Sequence, residues 1–314
     1  MRRRQQYAEV PEPVRLAIEN ELGAPVVDVL SHTGGFSPGV AATLTLANGD
    51  RAFLKAASPD PNPDTPGIHR QEAEIAAALP RDAPVPAFRF AYDDGEWIAL
   101  AFDHVDGVSP VEPWEPDELT RVLVAVHDLA RALTPSPVAI RDARDALAPL
   151  FNGWNSFAGV DGAALEPAWR DRLHELVALE RWAIPASAGD TLLHLDLRGD
   201  NVLLTDQRVY FIDWPWAAVG AAWVDLALML PSIAMQGGPA PEEIWEAHPL
   251  AQSADSGAVD AIVCALAGFF TWQSQLPPAP GIPTLREFQA AQGVFARAWL
   301  ARRRGWSQTV RGTR

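Results

Sequence analysis

Strand-like patterning is concentrated in the first third of the chain and helical patterning governs most of the rest, a division that points to two unlike α+β parts. Residues 26–30, 40–46 and 51–56 carry the β-branched and alternating apolar pattern of strands. Between the last two, Ala47-Asn48-Gly49-Asp50 contains Asn-Gly, a strong signal for a tight hairpin. Between the first two runs His32-Thr33-Gly34-Gly35-Phe36-Ser37-Pro38-Gly39, a turn able to present backbone N–H groups to an anion. These features predict a three-stranded meander. A loop rich in Pro and Asp follows at 58–67, then a helix over 68–79 and a second hairpin from 88–92 and 96–102. Beyond the connector Asp103-His104-Val105-Asp106-Gly107, residues 116–133 carry a helical stripe of Leu119, Val122, Leu123, Val126 and Leu129. A second amphipathic helix is expected over 169–182. Strands return briefly at 191–195, 202–204 and 209–212, and the apolar stretches 217–235 and 261–272 read as buried helices. The division predicts an N-terminal lobe over 1–105 and a C-terminal lobe over 106–314.

The 314 residues are enough to bury one large core or two modest ones. The basic start Met1-Arg2-Arg3-Arg4 is not followed by the uninterrupted apolar run of a secretory leader. Neither apolar stretch reads as a membrane span, the first because Asp225 interrupts it and the second because it is short. Cys264 is the single cysteine, so no internal disulfide can form, and a reducing cytoplasm suits the chain. A net charge of -15 would repel a phosphate backbone, which argues against nucleic acid as a partner. That charge reads as a solubilising surface, with a pocket for cationic substrates as the alternative. Of the 25 basic residues one alone is a lysine, Lys55. A compact ammonium on a flexible stem suits a phosphate clamp in a narrow slot, where a guanidinium fork is too wide.

The segment His194-Leu195-Asp196-Leu197-Arg198-Gly199-Asp200-Asn201 is followed, after a short hairpin, by Ile212-Asp213-Trp214. It resembles the catalytic segment of the aminoglycoside phosphotransferase and choline kinase family, small-molecule relatives of the protein kinases. The likeness extends to the Gly34-Gly35 turn, to Lys55, to a helix bearing Glu72 and to Val126-His127-Asp128-Leu129, and so covers most of the first 235 residues. It implies a two-lobed protein-kinase-like fold, a small β-rich nucleotide-binding lobe and a larger helical lobe for catalysis and substrate binding.

The resemblance also implies roles. Asp196 would accept or orient the acceptor hydroxyl, and Arg198 would contact the transferring phosphoryl group. Asn201 and Asp213 would supply hard oxygen ligands to Mg²⁺. Lys55 would hold the inner phosphates, fixed by an ion pair with Glu72 or, on the same helix, with Glu74. The turn Gly34-Gly35-Phe36-Ser37 would lie over the phosphates, and the Asp103 C=O and Val105 N–H would bind the base of ATP, with GTP as the alternative. Asp225 reads as the helix aspartate that hydrogen-bonds the catalytic-segment backbone, His194 as a buried scaffold residue and His127 as a helix-face residue. Two departures stand out: Leu195 occupies a position where many members have glycine, and the stiff Trp214-Pro215-Trp216 follows Asp213.

The expected activity is therefore transfer of the ATP γ-phosphate to a small hydroxylated molecule, an antibiotic by a resistance kinase. A kinase of a primary metabolite such as choline or a sugar is the alternative, and a non-catalytic nucleotide-binding protein another. A protein kinase is disfavoured, because no long activation segment follows Asp213-Trp214. Trp154, Trp216, Trp245 and Trp272 are candidates for stacking on the acceptor, although core packing is the commoner use of each. Glu242, Glu243 and Glu246 could recognise amines, but such a cluster at a helix start is more often a solvated face matched to the dipole.

Overall fold

The computed structural model describes residues 4–32, 39–60, 62–160, 162–278 and 282–306. They fall into two compact units. The first comprises the described residues within Met1–Ser109, Asp200–Trp216 and Pro280–Ile282, and the second those within Pro110–Gly199, Ala217–Ala279 and Pro283–Arg314.

In the first unit β1 (Val26–Ser31), β2 (Val40–Leu46), β3 (Arg51–Ala57), β4 (Phe88–Asp93) and β5 (Ile98–Asp103) form one antiparallel sheet in the order β1-β2-β3-β5-β4. The predicted meander and the hairpin after it are thus a single sheet, because β3 pairs with β5 and sets Lys55 opposite Leu100. Period-2 alternation gives this sheet two apolar faces. On one, Ala42, Leu44, Leu54, Ala56, Ala99 and Ala101 pack with Tyr7, Val10, Val14 and Ile18. Val14 and Ile18 belong to a helix, Glu12–Leu22, that the sequence reading did not identify. Its signals are an early Pro13, apolar residues four apart at Val14, Ile18 and Leu22, and Gly23 with φ 79° just past its end. On the other face Ile98, Leu100 and Phe102 pack with Ala76. Ala76 lies on helix Thr65–Ala78, which starts three residues before the predicted point because Pro66 fits its first turn.

A second hairpin, Val202–Leu204 paired with Val209–Phe211, belongs to the same unit. It is tied down by Val108 N–H to Leu204 C=O at 3.0 Å and Phe211 N–H to Pro84 C=O at 2.8 Å. The Arg208 guanidinium donates to the carbonyls of Asp82 and Ala83 at 2.8 and 2.6 Å. These bonds fix the backbone that leads into Asp213.

The second unit is built mainly from helices, among them Pro116–Ala132, Gly153–Ala158, Leu173–Glu180, Val224–Met235, Ser256–Gln273 and Leu285–Arg303. The predicted stripe of Pro116–Ala132 is largely buried, with Leu119, Val122, Val126 and Leu129 all inside. Trp154, Phe157, Leu176 and Trp299 are among its large core side chains. Ser256–Gln273 is the one helix among the described residues long and apolar enough to cross a bilayer by length and composition, and 61% of it is buried within the protein.

Three sequence expectations need correction. No continuous helix runs over 169–182: Pro167–Arg170, Leu173–Glu180 and Ala183–Ala186 are separate. Trp169 stacks on Trp154 at 5.8 Å and Arg170 donates to the carbonyls of Gly162, Ala163 and Leu165, so tertiary packing outweighs helix continuation there. Residues 217–235 are a strand, Ala218–Gly220, followed by helix Val224–Met235. A Cβ on Gly220 would come within 2.7 Å of the Ala143 Cβ and the Ser187 oxygen, so this strand fits only a narrow gap. Finally, the strand at 191 stops at Leu193, because the next two N–H groups turn to the Asp225 carboxylate.

One close helix approach in this core is testable. A Cβ on Gly153 would lie 2.1 Å from the Gly268 carbonyl oxygen, a backbone atom that cannot swing aside. Gly153→Ala is expected to cost about 1–3 kcal/mol, the usual range for overpacking, read as a lower urea midpoint at unchanged m. An unchanged midpoint would show that the two helices separate freely.

Candidate active site

Lys55 points from the face of β3 opposite Leu54 and Ala56, toward the side of the sheet that helix Thr65–Ala78 covers. One turn of that helix carries Glu72 inward, 2% exposed, while Glu74 is exposed. The Lys55 Nζ donates to both Glu72 carboxylate oxygens, at 2.6 and 2.9 Å, which settles the choice between the two glutamates. The same ammonium donates to Asp213 Oδ1 at 2.8 Å across 158 residues of sequence. Burial alone would push the Lys55 pKa down, but the two carboxylates outweigh it and hold the amine charged, above its usual range. Burial likewise pushes Glu72 up, opposed by Lys55 and by the Trp214 N–H.

Asp213 follows the hairpin in a left-handed conformation, φ 68°, which aspartate adopts more readily than most side chains. The Ile212 N–H bonds the Asn201 carbonyl at 3.0 Å and the Trp214 indole donates to the Phe211 carbonyl at 3.0 Å. Trp214 is buried, so the residue after Asp213 is an anchor. Asn201 is 4% exposed at the end of the turn Gly199–Asn201. Among the described residues no group of three or more His, Cys, Asp or Glu could hold a metal ion. The available set is one carboxylate and one amide, hard oxygen donors that suit Mg²⁺, an ion that usually takes few protein ligands and completes its shell with water and phosphate.

The sheet face bearing Lys55 also bears Thr43, whose hydroxyl lies 2.8 Å from His32 Nε2 and 3.3 Å from His104 Nδ1. Burial lowers the pKa of both imidazoles. His104 lies between Asp103 and Val105, the residues expected to meet the base. The Asp103 carboxylate itself turns away to Arg89 at 2.7 Å, which leaves only main-chain groups of Asp103 for that purpose. Val105 N–H makes no hydrogen bond among the described residues. Gly34, Gly35, Phe36 and Ser37 lie outside the described residues.

One residue of the helix that covers this face escaped the sequence reading. His69, 4% exposed, lies one turn before Glu72, and its Nδ1 is buried without a partner among the described residues. Burial and, next, the Lys55 charge push it down to about 3, so it is neutral at any working pH. The three-residue spacing to Glu72 was the signal that could have found it.

Asp196 and Arg198 belong to the second unit. Helix Val224–Met235 directs Asp225 at the segment before them, where its two oxygens accept the N–H groups of His194 at 2.7 Å and Leu195 at 2.8 Å. His194 is fully buried, and its Nδ1 accepts the Asp196 N–H at 3.2 Å. His194 and Asp225 thus support the backbone. Leu195 takes φ 64°, the left-handed region that glycine enters freely and leucine only at a cost of about 1–2 kcal/mol. The segment therefore keeps a glycine-like geometry without a glycine, held by Asp225 from one side. Arg198 Nη1 donates to Asp196 Oδ1 at 2.9 Å, and its guanidinium lies 5.3 Å from the centre of the Phe288 ring.

Of the tryptophans considered for stacking, Trp154 and Trp245 are core residues, and the Trp154 indole donates to the Cys264 carbonyl at 2.7 Å. Trp272 packs edge-on against Phe157, and Trp216 is 43% exposed. Glu242 pairs with Arg302.

Burial raises the Asp225 pKa to about 6, opposed by the two N–H bonds. Because the folded value exceeds the usual 3.8, the buried charge costs stability in full above pH 6, and the cost fades as pH falls from 6 toward 4. Asp225→Asn keeps the shape but offers one acceptor for two N–H groups. It is expected to lower stability by about 1–3 kcal/mol at pH 7, where one buried N–H is orphaned, and to flatten the stability profile between pH 4 and 6. Chemical denaturation at pH 4, 5, 6 and 7 reads both effects, and an unaltered profile would show that Asp225 does not titrate there.

Three comparisons bear on this arrangement. A model of the phosphotransferase enzyme family matches residues 28–262. Thiamine kinase of Salmonella heidelberg is 29% identical over 211 residues, 63% of this chain and 66% of that protein. Thiamine kinase of Salmonella typhimurium is 30% identical over 177 residues, 55% of each chain. The match thus spans just under two thirds of the first relative's length. Among solved structures, a putative fructosamine-3-kinase from Haemophilus somnus aligns with a TM-score of 0.57 at 10% identity, covering 91% of this chain and 96% of the other. A choline/ethanolamine kinase family protein from Mesorhizobium loti aligns with a TM-score of 0.56 at 14% identity, covering 92% and 94%. At those identities the likeness is one of fold, a kinase-like fold with a β-sheet lobe and a helical lobe.

Proposed function

The chain belongs to the phosphotransferase enzyme family, and from that premise we propose that it transfers the terminal phosphoryl group of ATP to a hydroxyl of a small molecule. The observation that carries this reading is the Lys55 ammonium, the chain's one lysine, clasped by Glu72 and by Asp213 from a segment 158 residues away. Two carboxylates around one buried ammonium keep it charged, as a phosphate-binding lysine must be.

In this reading Lys55 binds the inner phosphates, oriented by Glu72. Asn201 and Asp213 hold the divalent ion, with Mg²⁺ proposed, and that ion when bound neutralises phosphate charge. Asp196 accepts a hydrogen bond from the acceptor hydroxyl and orients its oxygen for attack. It needs no raised pKa, since in a loose transition state the proton leaves late. Arg198, now paired with Asp196, neutralises charge on the moving group. The main chain at Asp103 and Val105 binds the base, and the turn at Gly34-Gly35-Phe36-Ser37 covers the phosphates.

For the acceptor, the relatives named thiamine kinase favour a primary metabolite over an antibiotic. An antibiotic acceptor is the other outcome of an assay panel. A net charge of -15 suits a small molecule better than a nucleic acid, and the lone buried Cys264 suits the cytoplasm.

Asp196→Ala is expected to lower kcat by about 10²–10⁴-fold with nucleotide binding retained, measured as nucleotide consumption with thiamine, choline, aminoglycosides and macrolides as acceptors. Retained turnover in that variant would remove Asp196 from the reaction. Lys55→Arg is expected to lose at least tenfold in kcat/KM for nucleotide, because the fork cannot sit between two carboxylates and phosphate as a point charge does. Near-normal activity there would make the lone lysine incidental.

A further inference from the structure

Two unlike groups grip Arg198, a carboxylate at its edge and an aromatic ring at its face. Nη1 donates to Asp196 Oδ1 at 2.9 Å, and the guanidinium carbon lies 5.3 Å from the centre of the Phe288 ring. All three residues belong to the second unit. The Arg198 side chain is 15% exposed, so little water competes for the cation, and Phe288 is half-buried. A guanidinium carries its N–H groups along its edge and is weakly hydrated on its faces. A ring attracts such a face through its quadrupole and uses none of the N–H groups.

The ring stands on a rigid support. Phe288 lies in the first turn of helix Leu285–Arg303. Its neighbour Arg286 donates to the Pro277 carbonyl at 2.9 Å, to Gln273 Oε1 at 3.1 Å and to Gln289 Oε1 at 2.8 Å. Further along, a Cβ on Gly293 would meet the Thr271 backbone nitrogen at 3.4 Å, and Arg297 donates to the Thr271 hydroxyl at 2.7 Å. These contacts tie the start of this helix to the end of helix Ser256–Gln273. On the side of the catalytic segment, a Cβ on Gly199 would come 3.2 Å from Gln236 Oε1, so the backbone next to Arg198 has little room to move.

The two holders differ in what they do to charge. In the proposed reaction Asp196 orients the acceptor hydroxyl, and a carboxylate that turns to a hydroxyl loosens its hold on Arg198. A second carboxylate in place of the ring would keep the side chain still but would cancel the charge that the moving group needs. A ring keeps the side chain still and leaves the charge. Resting on the phosphotransferase reading, we propose that Phe288 is a positioning residue, whose ring holds the Arg198 guanidinium ready for the transferring phosphoryl group when Asp196 releases it. The effect falls on kcat, because the guanidinium acts in the transition state, and leaves the binding of both substrates unchanged.

A double-mutant cycle tests this. Phe288→Leu keeps an apolar side chain and removes the ring. It should lower kcat about three- to tenfold with the KM for nucleotide and for acceptor unmoved, whereas Phe288→Tyr, which keeps the ring, should retain most of the activity. In an Arg198→Ala background the same Phe288→Leu change should cost nothing further, since a residue that acts through Arg198 has nothing left to hold. Equal loss in both backgrounds, or a loss that appears in an acceptor KM, overturns the proposal and leaves the phosphotransferase reading standing. A second measurement needs no turnover. In protein carrying isotope-labelled arginine, the Arg198 Nε–H proton, identified by its absence from Arg198→Ala, should move downfield when Phe288→Leu removes the ring current, and an unmoved resonance overturns the proposal alone. Absence of nucleotide consumption by the wild-type protein with every acceptor of the panel overturns the phosphotransferase reading and this proposal with it.

Discussion

One buried ammonium between two carboxylates is the interaction on which the first unit depends. Lys55 costs free energy to bury, and neither Glu72 nor Asp213 alone would leave the balance of charge it has. Two segments remote in sequence must both be in place to satisfy it. The helix bearing Glu72 is fixed by apolar contacts to one face of the sheet, and the hairpin before Asp213 is fixed by backbone bonds to residues 84 and 108. The ion triad therefore reports correct packing of two independent elements. Within the triad the amine stays charged and Asp213 is already turned toward it.

The second unit solves a different problem by similar means. A buried carboxylate, Asp225, takes two backbone N–H groups and so imposes a left-handed turn on Leu195. Burial raises the energy of that carboxylate, and the two bonds recover part of it. In both units a carboxylate without full solvation directs backbone or side chain toward the position where chemistry is proposed. Stability is given up locally where geometry has to be held, and the apolar cores around Trp154, Phe157 and Trp299 supply the compensation.

How much of this could be read in the sequence follows from the range of the interactions involved. The sheet strands were legible because alternation is a local signal, and Asn48-Gly49 fixed one hairpin register. Lys55 stood out by its uniqueness and Glu72 by the helix following it. The failures lie where distant packing decides. Nothing in 169–182 announces that Trp169 will stack on Trp154, and nothing in 217–223 announces a strand squeezed against Ala143. His69 was within reach through its spacing to Glu72.

Leu195 has a consequence for how such a chain can change over generations. Its backbone geometry is enforced by Asp225, so the two positions form an epistatic pair. Loss of the aspartate first would leave a leucine in a left-handed conformation without two of the bonds that hold the segment, whereas prior acquisition of glycine at 195 would make change at 225 less costly. The order of substitutions, and not only their identity, would then set how much stability each step costs.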